Sequence, residues 1–397
     1  MPTVTALMSW LIKPLIQLLG LLPLATVVFA SSNICDILNY QIPGRVSYSD
    51  DLAYTASVSS YYSGFERALR PSCIFRPSTT AEVSEFVQLV SVNATTKWSL
   101  PQFAVRGGGH TLFTGAANIN GSVTVDMRSM NSLALSDDHK IASVGGGSIF
   151  SDFYPRLVPH NLSVMGGRVP GIGVGGFTTR GGLNFLSREH GFSCDNIYGY
   201  EVVLANGSVI YASASSNYDL WLALKGGSNN FGIVTRFDLA TFPQGLMWGG
   251  MILFNYTDSI VDHQAQDFSN FMDPTNFDSA ADMAVILNFE DGSFSIGNFL
   301  FYTKPVANPP VYQPFTSLPS PIFDNLGFNN CNRVRGDLAE SWTLYIPFKY
   351  LNYADKSQDP FSSYGEANKA HLIAVGKRYD PNELFQKGLP GGFKLFA

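Results

Sequence analysis

The stretch Phe103-Ala104-Val105-Arg106-Gly107-Gly108-Gly109-His110-Thr111 sets three glycines and a histidine directly behind a short apolar run. The run at 102–106 predicts a β-strand. A strand that ends in bare glycines exposes backbone N–H groups with no side chains in the way, and such a nest of amides suits a pyrophosphate. The stretch therefore predicts a phosphate-bearing cofactor held against backbone, with His110 beside it.

A second glycine-rich segment, GGRVPGIGVGG, follows at 166–176. Its last six residues satisfy the G-x-G-x-x-G pattern of dinucleotide-binding folds, which needs a strand before it and a helix that begins within it. Pro170 precedes the pattern, and Arg180-Gly181-Gly182 interrupt helical continuity after it. A Rossmann fold is thus the weaker hypothesis, and two glycine loops predict one large cofactor.

The composition of the 397-residue chain favours an enzyme-sized globular protein and disfavours polyanionic partners. The length leaves room for two or three domains with sizeable cores. A formal charge of -6 and a pI near 5.5, without any Lys/Arg stripe, argue against nucleic acid and anionic membranes as partners. The chain has no Cys-X-X-Cys pair, no H-E-x-x-H motif and no G-x-S-x-G elbow, which disfavours a structural zinc site and a hydrolase.

The N-terminus has the features of a secretory signal peptide at 1–30. Lys13 precedes an apolar run at 15–30, and Val28-Phe29-Ala30 resembles a cleavage site. The run is shorter than the ~20 apolar residues that span a bilayer, so we expect cleavage, secretion and no membrane anchor afterwards. Five sequons support the secretory pathway and predict glycosylation at Asn93, Asn120, Asn161, Asn206 and Asn255.

Local patterns predict an α+β fold. Thr79-Thr80-Ala81-Glu82 matches a capping box and begins a predicted helix at 79–90. Strands are predicted at 122–127, 141–144 and 232–239, a hairpin around Asn206-Gly207 at 201–211, and a helix at 218–225. From 248 to about 303, alternating apolar residues predict a second, smaller antiparallel domain.

On the two glycine loops, and on Tyr350-Leu351-Asn352-Tyr353-Ala354-Asp355 near the C-terminus, the chain resembles secreted flavoprotein oxidases. The group is the berberine bridge enzyme-like one, within the vanillyl-alcohol oxidase superfamily. The resemblance implies a PCMH-type FAD-binding domain of two α/β subdomains at 31–245. It also implies an antiparallel substrate domain at 246–344 and a C-terminal segment at 345–397 that returns to the FAD domain.

The resemblance implies that His110 is bonded covalently to the 8α-methyl carbon of FAD, although a lone loop histidine is more often satisfied by backbone. Relatives often carry a second, cysteine tether where this chain has Val169, so we expect one attachment only. The cofactor-binding residues expected are Arg106, Gly107, Gly108, Gly109, His110, Thr111, Gly171, Gly173, Gly175, Gly176, Gly182, Val234 and Asn352.

Two residues are catalytic candidates by the same resemblance. Tyr350 would polarise or deprotonate a substrate hydroxyl if neighbours lowered its pKa, and packing in the core is its alternative role. His190 falls where relatives place a tyrosine or histidine near the substrate, and a surface turn residue is an equally good interpretation.

Four cysteines allow three pairings, among which sequence cannot choose. The resemblance implies a disulfide between Cys35 and Cys73, and we expect Cys194 to be a buried free thiol.

The expected reaction transfers hydride from a small organic substrate to flavin N5, with O₂ as acceptor, in a secondary-metabolite pathway. An oligosaccharide oxidase and an inactive flavin-binding remnant are the alternatives. Relatives carry a longer substrate domain, and the polar stretch 330–341 joins abruptly to Tyr345. We therefore expect an internal loss or a mis-spliced gene, which would leave unpaired strand edges and exposed apolar faces.

Overall fold

The computed structural model describes residues 33–95, 101–169, 171–329 and 349–396, with the side chains of 92–95 and 329 left out. Within these ranges, helices and three sheets alternate along the chain, which confirms the predicted α+β class. The predicted signal peptide, the side chain of Asn93 and the predicted boundary at 344/345 lie outside the described residues.

The first sheet leads directly into the glycine loop at 107–109. Its order is β1-β2-β4-β3, formed by β1 Val46–Ser47, β2 Cys73–Phe75, β3 Phe103–Arg106 and β4 Val123–Asp126. Strands β2 and β3 both run parallel to β4. The loop Gly107–Gly109 thus follows the carboxyl end of a parallel strand, the edge at which open α/β sheets bind ligands.

Four helices accompany this sheet: α1 Ile34–Gln41, α2 Leu52–Ser59, α3 Gly64–Arg67 and α4 Thr80–Thr95. Helix α4 confirms the predicted helix, and Phe86 on it packs against Phe75 and Phe103 with ring centroids 5.5 and 5.3 Å apart. A disulfide joins Cys35 in α1 to Cys73 in β2, as the resemblance implied, and Cys194 is a buried free thiol.

The second sheet is antiparallel and follows the order β5-β6-β10-β8-β9, with β7 also paired to β10. Its strands are β5 Leu133–Leu135, β6 Ile141–Gly145, β7 Leu162–Val164, β8 Ile197–Val203, β9 Val209–Ser213 and β10 Ile233–Pro243. Strands β8 and β9 form the predicted hairpin, which Gly207 closes at φ +81. The helices of this region are α5 Phe150–Leu157, α6 Val174–Thr179, α7 Ser187–His190 and α8 Tyr218–Ala223.

The third sheet begins just after the predicted boundary at 245/246 and is antiparallel, in the order β12-β13-β11-β14 with β15 also on β11. It contains β11 Met247–Asn255, β12 Ala281–Glu290, β13 Ser293–Tyr302, β14 Phe323–Asp324 and β15 Gly327–Asn329. Helices α9 Asp258–Met272 and α10 Gln313–Thr316 belong to this part. Phe299 and Phe301 of the sheet pack against Met165, Phe185 and Leu186, so this face meets the cofactor region.

The C-terminal segment packs into the hydrophobic cores of the first and second sheets. Helix α11 Glu366–Tyr379 contributes Leu372 and Val375 to the core of the second sheet. Phe385 and Leu389 reach the core of the first sheet, where the Phe385 ring lies 6.3 Å from that of Phe103. Residues at the end of the chain are thereby brought next to the glycine loops.

Among the described helices, none combines the length and apolar character that crossing a bilayer requires. Asn120, Asn161, Asn206 and Asn255 are all exposed, as acceptors of glycans must be. Glycosylation itself stays a prediction.

Candidate cofactor-binding cleft

A cleft is lined by parts of the first and second sheets and by the C-terminal segment. It holds ≈1380 Å³ of empty space, part of it open to solvent. Most of the residues that the sequence assigned to cofactor or substrate line it together. They are Gly107, Gly108, Gly109, His110, Thr111, Gly173, Gly175, Gly176, Val234, Tyr350 and Asn352. Four other assigned residues do not line it: Arg106, Gly171, Gly182 and His190.

The two glycine loops touch each other through bare backbone. A Cβ added to Gly108 would lie 2.5 Å from the backbone nitrogen of Gly173, so neither loop tolerates a side chain at this contact. At Gly176, by contrast, an added Cβ would meet nothing within 4 Å. The loops are therefore closely packed on one side and open toward the cleft on the other.

Helix α6 begins at Val174, inside the G-x-G-x-x-G pattern, but it ends after six residues at Thr179. Gly181 and Gly182 follow with φ of +104 and +83. The nearest preceding strand, β7, is antiparallel to β10. This arrangement lacks the parallel strand and long helix of a dinucleotide-binding βαβ unit, so the Rossmann hypothesis is wrong.

The lining of the cleft suits an anionic, phosphate-bearing cofactor. Of the described residues that line it, none carries a carboxylate, whereas Arg168 and Arg180 contribute guanidinium groups. Bare backbone at Gly107 and Gly176 leaves room for a ligand against the main chain. Backbone N–H groups and guanidinium groups are the donors that bind phosphate in proteins. The residues present therefore fit a dinucleotide such as FAD.

Arg106 lies beneath the first glycine loop and not in the cleft. Its side chain is fully buried, donates to the carbonyl of Ser57 at 2.6 Å and to Ser60 Oγ at 3.0 Å, and lies 3.7 Å from the Tyr61 ring centroid. A Cβ added to Gly109 would be 2.7 Å from Arg106 Nε. Arg106 thus supports the loop on the side that faces away from the cleft. The sequence analysis expected it to contact the cofactor.

His110 lies at the edge of the cleft, partly buried against one aromatic ring. Tyr62 stacks on it with ring centroids 4.0 Å apart and planes 12° from parallel. A Cβ added to Gly171 would be 3.8 Å from His110 Cδ2, so Gly171 borders the imidazole although it does not line the cleft. Burial lowers the pKa of His110 and thereby favours the neutral imidazole.

Tyr350 and Asn352 line the cleft and belong to the C-terminal segment. The hydroxyl oxygen of Tyr350 accepts hydrogen bonds from the backbone N–H of Leu183 at 2.6 Å and from Asn352 Nδ2 at 2.8 Å. Burial raises the pKa of Tyr350 to about 12, opposite to the lowering that proton abstraction would need. Tyr350 therefore stays a phenol near neutral pH, and its own O–H remains free to donate to a ligand.

His190 and Gly182 lie away from the cleft. His190 is the last residue of helix α7, and its ring stacks on that of Phe242 with centroids 4.1 Å apart. A Cβ added to Gly182 would lie 2.5 Å from the Cβ of Ser193, so this glycine serves the turn after α6. For His190, the placement agrees with the alternative of a structural residue in a turn.

Arg168, which the sequence analysis did not single out, connects the cleft to the third sheet. Its Nη2 donates to the hydroxyl of Tyr353 at 2.8 Å, and its Nη1 lies 3.7 Å from Asp282 Oδ1 on β12. Burial raises the pKa of Asp282 to about 6, and Arg168 opposes that rise. Within the described ranges, this oxygen of Asp282 accepts no hydrogen bond.

Arg180 in the cleft and Lys394 behind its lining form a pair of basic residues that the sequence analysis also missed. Arg180 lines the cleft and donates from Nε to Ser228 Oγ at 3.1 Å. Lys394 donates to the carbonyl of Phe385 at 3.0 Å, and burial together with Arg180 lowers the pKa of Lys394 to about 7. Two cations that repel one another favour an anion between or beside them. Arg180 inside a glycine-rich run was the one signal available.

The chain is similar to proteins that are named FAD-dependent monooxygenases. A family profile described as an FAD binding domain matches residues 71–213. The FAD-dependent monooxygenase prx3 of Penicillium roqueforti is 34% identical over 493 residues, covering 94% of this chain and 95% of that protein. The FAD-dependent monooxygenase CTB5 of Cercospora beticola is 39% identical over 330 residues, which cover 80% of this chain and 62% of that protein. The chain thus spans less than two thirds of that relative's length.

Solved structures share the fold at low sequence identity. The 6-hydroxy-D-nicotine oxidase of Arthrobacter nicotinovorans superposes with a TM-score of 0.74 at 18% identity, covering 87% of this chain and 97% of that one. The glucooligosaccharide oxidase of Acremonium strictum, described with a 6-S-cysteinyl, 8α-N1-histidyl FAD, gives 0.70 at 16% identity and covers 92% and 100%.

Proposed function

Because the chain belongs to the FAD-linked oxidoreductases of the berberine bridge enzyme-like group, we propose that it holds FAD in the cleft and oxidises a small organic molecule. One observation carries the proposal: two bare-backbone loops meet at a cleft whose described lining has two guanidinium groups and no carboxylate. Bound there, FAD would supply the redox chemistry, as a two-electron acceptor for the hydride that the substrate loses.

Backbone amides and side chains have different roles in binding the cofactor and the substrate. The amides of Gly107–Gly109 bind phosphate, with Arg106 holding their loop in shape from below. The second loop, with Gly173, Gly175 and Gly176, lines the cleft beside them. Asn352 fixes the Tyr350 hydroxyl, whose proton is free to bond to a polar group of the ligand or substrate.

A single covalent bond through His110 is the finer part of the proposal. The imidazole borders the cleft and burial favours its neutral form, which is the nucleophilic one. The structurally similar glucooligosaccharide oxidase is described with both a cysteinyl and a histidyl bond to FAD. Here Val169 lines the cleft, and valine cannot form a thioether.

We propose O₂ as the electron acceptor, in a secondary-metabolite pathway. The support for redox chemistry with O₂ is that the similar proteins are named monooxygenases or oxidases. The two chemistries predict different products. An oxidase releases one H₂O₂ for each O₂ consumed, whereas a monooxygenase places an oxygen atom in its product.

The test is an oxygen-electrode assay with a panel of phenolic, alcohol and amine donors, scored together with peroxide formation. We expect one H₂O₂ per O₂ with an active donor, and no label in the organic product under ¹⁸O₂. Incorporation of ¹⁸O would contradict the oxidase interpretation. Purified yellow protein that no donor reduces would favour the inactive remnant.

An oligosaccharide oxidase is the second candidate, favoured by structural likeness to glucooligosaccharide oxidase and to chitooligosaccharide oxidase, the latter at a TM-score of 0.68. Both proteins are covered almost completely by the superposition. A panel of gluco-, cello- and chito-oligosaccharides separates the two functions. Turnover on sugars faster than on any phenol or alcohol would replace the secondary-metabolite proposal.

The shortened substrate domain remains part of the proposal. The alignment with prx3 runs over 493 positions, more than the 397 residues of this chain, so that relative contains residues with no counterpart here. The transcript across 325–345 tests the gene: a restored reading frame there would show that a longer form is the working enzyme.

We also propose a secreted glycoprotein, supported by the leader at 1–30 and by four exposed sequon asparagines. Secretion into the medium and a mass decrease on glycosidase treatment are expected. Retention inside the cell, without any glycan, would contradict this proposal.

A further inference from the structure

The imidazole of His110 has one aromatic neighbour in close parallel contact, and that neighbour belongs to a different segment of the chain. The Tyr62 ring lies 4.0 Å from the imidazole centroid, with the planes 12° apart. The backbone N–H of Tyr62 also donates to the carbonyl of Gly109 at 3.0 Å. The residue therefore contacts both the loop and the side chain that follows it.

The segment that presents Tyr62 is itself fixed on both sides. Tyr61 is buried, its hydroxyl donates to the carbonyl of Ala117 at 2.7 Å, and Arg106 lies over its ring. Ser63 caps helix α3 by accepting from the N–H of Phe65. Tyr62 is 49% exposed, so its ring covers His110 at the surface of the protein and is not itself held by a core.

From this geometry we propose that Tyr62 is a positioning residue that holds the imidazole of His110 in the orientation required for its covalent attachment to FAD. The inference rests on the proposed covalent bond at His110. A histidine side chain has two torsions, χ1 with three staggered wells and a broad χ2, so several orientations of the imidazole compete. A stacked aromatic ring removes alternative orientations of the imidazole and shields one of its faces from water.

Attachment joins an imidazole nitrogen to the 8α carbon and removes one hydrogen from that methyl group and one from the imidazole. The two hydrogens, with two electrons, pass in sum to O₂ and give H₂O₂. The step therefore needs a neutral imidazole at a fixed position and O₂ as oxidant. Tyr62 does not react in it. Its ring face is the part that acts, so phenylalanine should replace it without loss.

The experiment compares full-length wild type with Tyr62→Phe, Tyr62→Leu, Tyr62→Ala and Phe65→Ala. Phe65 is the matched control, since it is an aromatic residue three positions away that is 70% exposed. Two quantities are measured on each purified protein: total flavin per polypeptide from the visible spectrum, and the fraction of that flavin that stays with acid-precipitated protein. Neither depends on turnover.

We expect Tyr62→Phe and Phe65→Ala to match wild type in covalent fraction. Tyr62→Leu and Tyr62→Ala should bind FAD but keep a covalent fraction at least fivefold lower. If Tyr62→Ala retains no flavin at all, Tyr62→Leu decides, because it keeps the bulk but not the aromatic face.

Wild-type covalent fractions in both Tyr62→Leu and Tyr62→Ala would overturn the inference and leave the His110 bond standing. An equal loss in Tyr62→Phe would overturn it too, since the hydroxyl would then be the active group. Wild-type protein without covalent flavin would instead overturn the proposed bond itself, and with it the role of Tyr62.

Discussion

The cofactor region and the third sheet differ in how completely they bury their apolar residues. In the cofactor region, strands β2, β3 and β4 are buried almost throughout, and the C-terminal segment closes the cores of both sheets. In the third sheet, β12 pairs only with β13 among the described strands, and its Val285, Leu287 and Phe289 are 40, 51 and 60% exposed. A ten-residue edge strand with an exposed apolar face is an aggregation site.

The difference indicates that the cofactor region is the more completely packed of the two. The close contacts between the glycine loops lie within the cofactor region, whereas one edge of β12 has no partner among the described strands and its outer face is exposed. FAD binding should therefore depend steeply on the loops and little on the outer face of β12.

The largest effect is expected at the contact between the two glycine loops. Gly108→Val puts a side chain 2.5 to 2.7 Å from backbone atoms of Gly171 and Gly173, so we expect complete loss of bound flavin. The visible absorbance per polypeptide measures it. Gly245→Ala is the control, because an added Cβ there meets nothing within 4 Å. A yellow Gly108→Val protein would contradict the described loop contact.

An intermediate effect should separate the two faces of β12. Ile286 packs toward the buried cluster with Phe299 and Phe301, so Ile286→Lys should cost about 1 to 3 kcal/mol of unfolding free energy. Leu287, the next residue, faces outward, so Leu287→Lys should change stability by no more than about 0.5 kcal/mol.

Urea unfolding and light scattering on the two variants provide the measurement. Leu287→Lys should also reduce aggregation and leave the flavin content unchanged. Equal destabilisation by both substitutions would mean that the outer face is covered in the working protein.

The smallest effect concerns the pH dependence of the flavin-free protein. Because burial lowers the pKa of Lys394 to about 7, the unfolded chain binds more protons than the folded one from about pH 7 up to the ordinary lysine pKa of about 10.4. Stability should then rise with pH across this window, by at most about 1.4 kcal/mol per pH unit from this one group.

Lys394→Met should remove that rise, whereas Lys140→Met at a side chain 71% exposed should not. Denaturation midpoints at pH 7 and pH 9 measure the difference. An anionic cofactor should raise the pKa of Lys394, so the slope should shrink in the FAD-bound protein. An unchanged slope in Lys394→Met would remove Lys394 from this account.

The two glycine loops could be singled out from the sequence, because the role expected of them follows from glycine itself. Gly108 and Gly173 were identifiable since only glycine allows two backbones to approach so closely. The side of the loop on which Arg106 lies could not be predicted, because adjacency to a loop does not tell where a long side chain goes. The guanidinium contacts Ser57 and the ring of Tyr61 and does not line the cleft.

Contacts between residues distant in sequence could not be predicted from local sequence patterns. Arg180 contributes to the lowered pKa of Lys394 only because the C-terminal segment packs against the second sheet. Tyr350 lines the cleft, but its raised pKa depends on burial that no local pattern reveals. The pairing of Tyr62 with His110 likewise arises from tertiary packing between segments 48 positions apart.

Mass spectrometry of the denatured, protease-digested protein tests the central claim most directly. We expect the peptide containing His110 to gain the mass of one FAD less two hydrogens, and the peptide containing Val169 to carry no adduct. Unmodified His110 peptide from protein that is colourless before denaturation would contradict it.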